Sequence, residues 1–181
     1  MLSYKILSFD PGLCKCGYAV LEININDEIK LITADTIMIE KEVPENHYVA
    51  ELHSYNMAKL VYLDKKVNEL LELYKPSFVA SEIGFFNPRR PSAFETLVSV
   101  VTVISNCVFR FDPTIYFTRI PAAKVKSNLG VCGKSGDKSL VLEAVIKRNL
   151  SYENINLRML GPDSIDAIAV GLYASDMLIK L

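Results

Sequence analysis

The chain has 181 residues, 50% of them apolar, with 20 basic and 21 acidic side chains and a net charge of −1. That length suits one domain rather than two, and a domain this size removes roughly 70% of its unfolded surface from water, so it can hold a core without cross-links. A charged fraction of 23% with abundant Ile, Leu and Val excludes disorder, and the near-neutral balance excludes a bulk cationic field, so any phosphate-binding surface must be local.

Residues 4–9 read as a buried strand, Asp10-Pro11-Gly12 as a sharp turn, and residues 17–23 as a second strand. Residues 24–28 are polar turn material and residues 30–39 a third strand, which suggests an antiparallel meander. Residues 40–46 are charged, hold Pro44, and read as a loop. Leu60, Leu63, Val67, Leu70, Leu71 and Tyr74 then recur at helical spacing, with Lys65, Lys66, Glu69 and Glu72 on the other faces, until Pro76 stops the helix. Residues 77–82 make a fourth strand ending on Glu82, and residues 84–91 a loop carrying Phe85, Phe86, Arg89 and Arg90. Ser92 with Glu95 gives a capping-box signal for a helix over 93–107. Residues 114–120 read as a fifth strand, Pro121 as the first residue of a short helix that Gly130 ends, and residues 138–150 and 162–181 as two closing helices. The order predicts a single α/β domain over residues 1–181, with a mixed five-stranded sheet flanked by helices.

The four cysteines give no disulfide framework and no zinc spacing: Cys14 and Cys16 are one residue apart, Cys107 and Cys132 stand alone, and His47 and His53 lie near neither. Reduced, mostly buried thiols are expected. MLSYKILSFD is too short and too soon charged for a signal peptide, and the most apolar stretch, 97–109, falls short of the ~20 residues of a membrane span. A soluble, intracellular protein without a membrane partner is expected.

Three local signals carry acids. Asp10 closes a buried strand in SFDPG, where ordinary turn chemistry is the competing explanation. Glu82 follows an apolar run in FVASEIGFF, where burying its charge costs several kcal/mol unless it is compensated or reaches solvent. In GPDSIDAIAVG, Gly161-Pro162 sets up a helix start, and Asp163 and Asp166 share a face. Compensation of the helix dipole, at roughly 0.3–1 kcal/mol, would account for Asp163 alone. Strands one and four become neighbours if the long helix is a right-handed crossover, which sets Asp10 beside Glu82 with the last helix packed across them. Four gathered carboxylates persist only if protonated or neutralised by cations, and an all-oxygen set favours Mg²⁺ or Mn²⁺, two of which can hydrolyse a phosphodiester.

Between the acids, residues 119–148 hold Arg119, Lys124, Lys126, Lys134, Lys138, Lys147 and Arg148 against Asp137 and Glu143, a local charge of +5. Gly130, Gly133 and Gly136 make the connection permissive of close approach to a phosphate backbone. A solvated helical face with a flexible loop is the alternative.

SFDPG with CGYAV, the helix leading into FVASEIGFF, IPAAKVKSNLGVCGKSGDKSLV, and GPDSIDAIAV occur in that order. Together they resemble the RuvC-type Holliday junction resolvases of the RNase H-like superfamily over most of the chain. The short length and Ile/Asn/Lys-rich loops look most like the poxvirus branch, which implies viral genome resolution at cytoplasmic replication sites. The resemblance puts metal ligands on Asp10, Glu82, Asp163 and Asp166. It implies Mg²⁺-dependent paired nicking of four-way and other branched DNA, with Mn²⁺ substituting and two ions per site. Lys138 becomes the candidate for stabilising phosphate charge or steering water, with Lys126 second and Lys124 its register alternative. Lys134 joins these lysines on the DNA surface, Phe85 or Phe86 would stack at the junction centre, and Arg89 and Arg90 would grip phosphates. A two-fold substrate calls for a homodimer, for which Phe94, Leu97, Val98 and Val101 on the 93–107 helix offer an apolar face, unless the same chain covers it. Rival readings are an actin-like ATPase relative, for which glycine-rich phosphate loops are missing, and a non-catalytic junction-binding protein.

Overall fold

In the computed structural model, which describes residues 3–84, 88–89, 91–131, 138–148 and 150–180 and omits the side chain of Lys138, β1 (Ser3–Asp10), β2 (Cys16–Asn24) and β3 (Ile29–Ile37) form the antiparallel meander. β1 runs against β2 from Ser3↔Asn24 to Asp10↔Gly17, so the aspartate ends its strand opposite a glycine. Two short helices follow, α1 (Ile39–Glu42) and α2 (Tyr48–Leu52), then α3 (Tyr55–Tyr74). Ser54 caps α3 by accepting from Met57 N at 3.1 Å, and Lys75 closes it in the left-handed region at φ 46° just before Pro76.

The crossover through α3 delivers β4 (Phe78–Ile83) parallel to β1, with Phe9 level with Ser81. A second crossover through α4 (Pro91–Phe111) delivers β5 (Tyr116–Pro121) parallel to β4. After α5 (Ala122–Asn128) and α6 (Lys138–Lys147), β6 (Ser151–Tyr152) pairs parallel with β3, and α7 (Pro162–Ile179) ends the chain's described structure. The sheet order is β5-β4-β1-β2-β3-β6.

Alternation along the central strand divides the core. Ile6 points to a layer with Ala19, Leu21, Ala80, Ile165, Ile168 and Leu172, beneath α7. Leu7 and Phe9 point to the opposite layer with Val20, Val79, Leu63, Val67, Val100 and Ile104, beneath α3 and α4. Strands buried on both faces read as near-continuous apolar runs, which explains ILSF and FVAS.

Five expectations change. Among the described residues the sheet has six strands rather than five, the addition being β6, which contributes only two pairs and is too short a run to carry a strand signal. Residues 39–42, expected as strand end and loop, are helical. The capping-box start gives way to Pro91, and α4 extends to Phe111. Pro121 caps α5 from outside, with extended backbone, rather than opening it. At 21 residues α4 is also long and apolar enough to cross a membrane, contrary to the stretch read from sequence, yet it seats Val100, Val101, Ile104, Cys107 and Val108 in the core. Cys16 and Cys107 are buried free thiols, while Cys14 is exposed.

Candidate active site

The carboxyl ends of the parallel strands form one edge of the sheet, the usual place for ligands in open α/β folds. Asp10 ends β1 there, and the Phe9↔Ser81 pairing puts Glu82 at the adjoining position of β4. α7 brings the other two acids. Its start lies so close on β2 that a Cβ at Gly17 would stand 2.0 Å from the Asp163 carbonyl oxygen. Since Gly17 pairs with Asp10, this contact seats the first turn of α7 against the Asp10 strand end. Glycine in a strand interior is a sign of such close approach.

Two hydrogen bonds through hydroxyls tie the same helix to the sheet. Ser8 Oγ donates to Ala167 O at 2.8 Å, and Thr36 Oγ1 and Ser164 Oγ share a hydrogen bond of 2.8 Å. Gly171 allows a second close approach, since its Cβ would meet Leu21 Cδ1 at 2.2 Å. α7 therefore has little freedom to slide, and Asp163 and Asp166 inherit its position.

The electrostatics show what this concentration does. Glu82 is pushed up to about 7, chiefly by burial and then by the Asp166 carboxylate, with Lys126 of α5 working the other way. Cys16 is pushed up to about 12 by burial, a backbone hydrogen bond from Gly12 opposing, with Asp10 and Asp163 adding to the rise. Two acids thus act on Cys16 and two act on one another. Among the described residues, however, no three Asp, Glu, His or Cys side chains form a group that could hold a metal ion. β1, β4 and α7 bring the four acids to one edge of the sheet. The donor set is all-oxygen and strongly negative, so in chemistry and location it fits a hard divalent cation.

Lys124 and Lys126 are exposed on α5, which the buried Val125 anchors. Arg89 is exposed after the β4 strand end. Lys138 opens α6. Phe85, Phe86, Arg90, Lys134 and the side chain of Lys138 lie outside the described residues. On α4, Val98 is 43% exposed and Phe94 and Leu97 are half-buried, whereas Val101 is 4% exposed and packs inward. Leu97 presses on Gly84, where a Cβ would meet its Cδ2 at 1.9 Å, tying α4 to the end of β4.

Sequence reasoning missed the close seating at Gly17, although a glycine inside a strand was a usable signal. It also missed Asp176, whose carboxylate accepts from Asn128 Nδ2 at 2.8 Å and Arg148 Nη2 at 2.5 Å; separations of 48 and 28 residues leave no local signature.

The family model described as crossover junction endodeoxyribonuclease RuvC matches residues 6–173. A crossover junction endodeoxyribonuclease RuvC of Prochlorococcus marinus (strain MIT 9312) is 30% identical over 172 residues, covering 93% of this chain and 94% of that protein. Among solved structures, Thermus thermophilus RuvC in complex with Holliday junction substrate superposes with a TM-score of 0.69 at 17% identity, over 98% of this chain and 96% of that one. Fowlpox virus resolvase with substrate Holliday junction DNA superposes with a TM-score of 0.54 at 18% identity, over 97% and 99%. These likenesses show the RNase H-like resolvase fold. They do not single out the poxvirus branch, since the curated relatives are bacterial.

Proposed function

The chain belongs to the crossover junction endodeoxyribonuclease RuvC family, and from that premise we propose that it resolves four-way and other branched DNA junctions by paired, divalent-cation-dependent phosphodiester hydrolysis. One observation carries this reading: Asp10 and Glu82 lie near the carboxyl ends of adjacent parallel strands, with the start of α7 seated against β2 beside Asp10 and the Asp166 charge acting on Glu82. Mg²⁺, or Mn²⁺ in its place, held by these four carboxylates as a pair of ions, would supply the positive charge that offsets the developing charge on the phosphate and makes water a better nucleophile.

The chain's own groups divide the remaining work. Asp10 would take a shared position among the acids, with Glu82 and Asp166 completing opposite sides and Asp163 assisting one of them. Lys138, with Lys126, whose charge already acts on Glu82, would stabilise charge on the phosphate, and Lys124 and Lys134 would extend the contact along the backbone. Arg89 and Arg90 would hold the flanking phosphates, and Phe85 or Phe86 would stack at the junction centre. Two copies joined through the outer side of α4, with Val98 exposed and Phe94 and Leu97 beside it over inward-facing Val101, would present two sites to a two-fold substrate. Bacterial relatives favour recombination and repair inside the cell over viral genome resolution.

The test is a four-way junction labelled on each strand in turn, incubated with the full chain and Mg²⁺, with linear duplex as control. The reading expects symmetric, ligatable nicks with 5′-phosphates in two opposing strands, and far less cutting of duplex. Tight junction binding without nicks would favour a non-catalytic binder. Neither binding nor nicks would end both.

A further inference from the structure

Asp176 lies near the end of α7, far from the strand edge: ten residues separate it from Asp166, about 15 Å of helix rise. Its two oxygens serve different helices. Oδ2 accepts from Asn128, the last residue of α5, and Oδ1 from Arg148, which directly follows α6. The Arg148 and Asp176 side chains are 28% and 19% exposed, so this pair is more sheltered than surface ion pairs and less easily replaced by water. Burial acts to raise the Asp176 carboxyl, but the hydrogen bonds from Arg148 and Asn128, with the charges of Arg148 and Lys180, hold it below the usual range.

The clamp brackets the basic segment. Lys124 and Lys126 lie within the turn and a half before Asn128, and Lys138 opens the helix whose far end Arg148 follows. Burial of Val125, Val141 and Val145 already seats both helices on the core layer under α7. Burial is non-directional, however, and does not set the rotation of a short helix about its axis. A two-armed hydrogen-bonded carboxylate does. α5 ends tightly as well: Gly130 takes φ 70° and Val131 N donates to Lys126 O at 3.0 Å, so a rotation fixed at Asn128 is passed to Lys126.

We propose that Asp176 is a positioning residue for the cleavage reaction: it locks the ends of α5 and α6 to the helix that carries Asp163 and Asp166, and so sets the placement of Lys126 beside the acids. This rests on the reading of the strand edge as a nuclease site. It also predicts that Lys126 and the acids of α7 behave as one mechanical unit, although 37 residues separate Lys126 from Asp163 in sequence.

The test compares wild type, D176N, D176E, K126A and the K126A/D176N double variant in single-turnover cleavage of a labelled four-way junction at saturating protein and Mg²⁺. D176N should cut about tenfold more slowly, with D176E recovering most of the rate. K126A should be slower still, and the double variant no slower than K126A, because Asp176 acts through the same lysine. Multiplying losses in the double variant, or a wild-type rate for folded D176N, overturns the proposal. Should D176N fail to fold, N128A removes one arm alone and is expected to give a smaller loss with the same dependence on Lys126. Amide exchange supplies a readout independent of catalysis: D176N should speed exchange in α5 while leaving β1 and β4 unchanged. If wild type itself cuts no junction, the nuclease reading fails, and unchanged exchange in α5 would separately refute the clamp.

Discussion

The two faces of the sheet are covered in contrasting ways. On one, α7 comes so near that Gly17 and Gly171 have no room for a side chain, and Ser8, Thr36 and Ser164 bond across the gap. On the other, α3 and α4 rest on bulky Leu63, Val67, Leu71, Val100 and Ile104, while the outer side of α4 leaves Val98 exposed. Close, polar seating specifies where a helix end stands to within tenths of an ångström; bulky apolar seating contributes stability and tolerates small shifts. The face with little room carries Asp163 and Asp166, and the face with larger side chains carries the surface proposed to meet a second copy.

That contrast breaks most visibly at Gly17. In G17A the new methyl would meet Asp163 backbone atoms at 2.0 and 2.4 Å, so the start of α7 must move. Junction cleavage should fall about 100-fold or more, while junction affinity, which the proposal assigns to the basic segment, falls much less. Equal cleavage by G17A and wild type would show that the contact does not place the acids.

L63A tests the opposite face. Leu63 is fully buried, so the cavity should cost about 3 kcal/mol in urea unfolding, yet the cleavage rate of the folded fraction should stay within about twofold. A rate loss as large as that of G17A would erase the distinction between the faces.

Glu82 sharpens the comparison through pH. Its folded pKa of about 7 stands above the ordinary 4.5, so the neutral acid is favoured by folding. The resulting stability is whole below about pH 4.5 and is lost as pH rises through 7, by up to about 3 kcal/mol in chelator-treated protein. E82Q should flatten that part of the pH–stability curve and be the more stable protein at pH 8. An unchanged slope would mean that burial and Asp166 do not act on this carboxyl as described.

The smallest effect on folding is expected at Val98. V98D should change stability by no more than about 0.5 kcal/mol, because the side chain is already 43% exposed, but should give monomers in sedimentation and uncoupled single nicks. A stable V98D dimer would move the interface off this side of α4.

Much of this was legible in the sequence because it was written in local patterns. SFDPG, FVASE and GPDSID each join an apolar run to an acid at a turn or helix start, and strand and helix periodicity give the element order. The crossover rule then makes β1 and β4 neighbours without any coordinates. What escaped was either too short or too distant. β6 has two residues, and α1 and α2 have four and five, below the length at which a helix holds itself without tertiary support. The links from Asp176 to Asn128 and Arg148 join segments with no shared pattern. Side-chain convergence was the least legible: sequence order places four acids on one edge, but repulsion and rotamer choice decide how near their oxygens come.

Diffraction from crystals soaked in Mn²⁺, recorded at a wavelength where manganese scatters anomalously, tests the central claim most directly. The account predicts one or two anomalous peaks bounded by carboxylate oxygens of Asp10, Glu82 and Asp166, with Asp163 alongside. Manganese bound only elsewhere, with those four side chains directed apart, would contradict it.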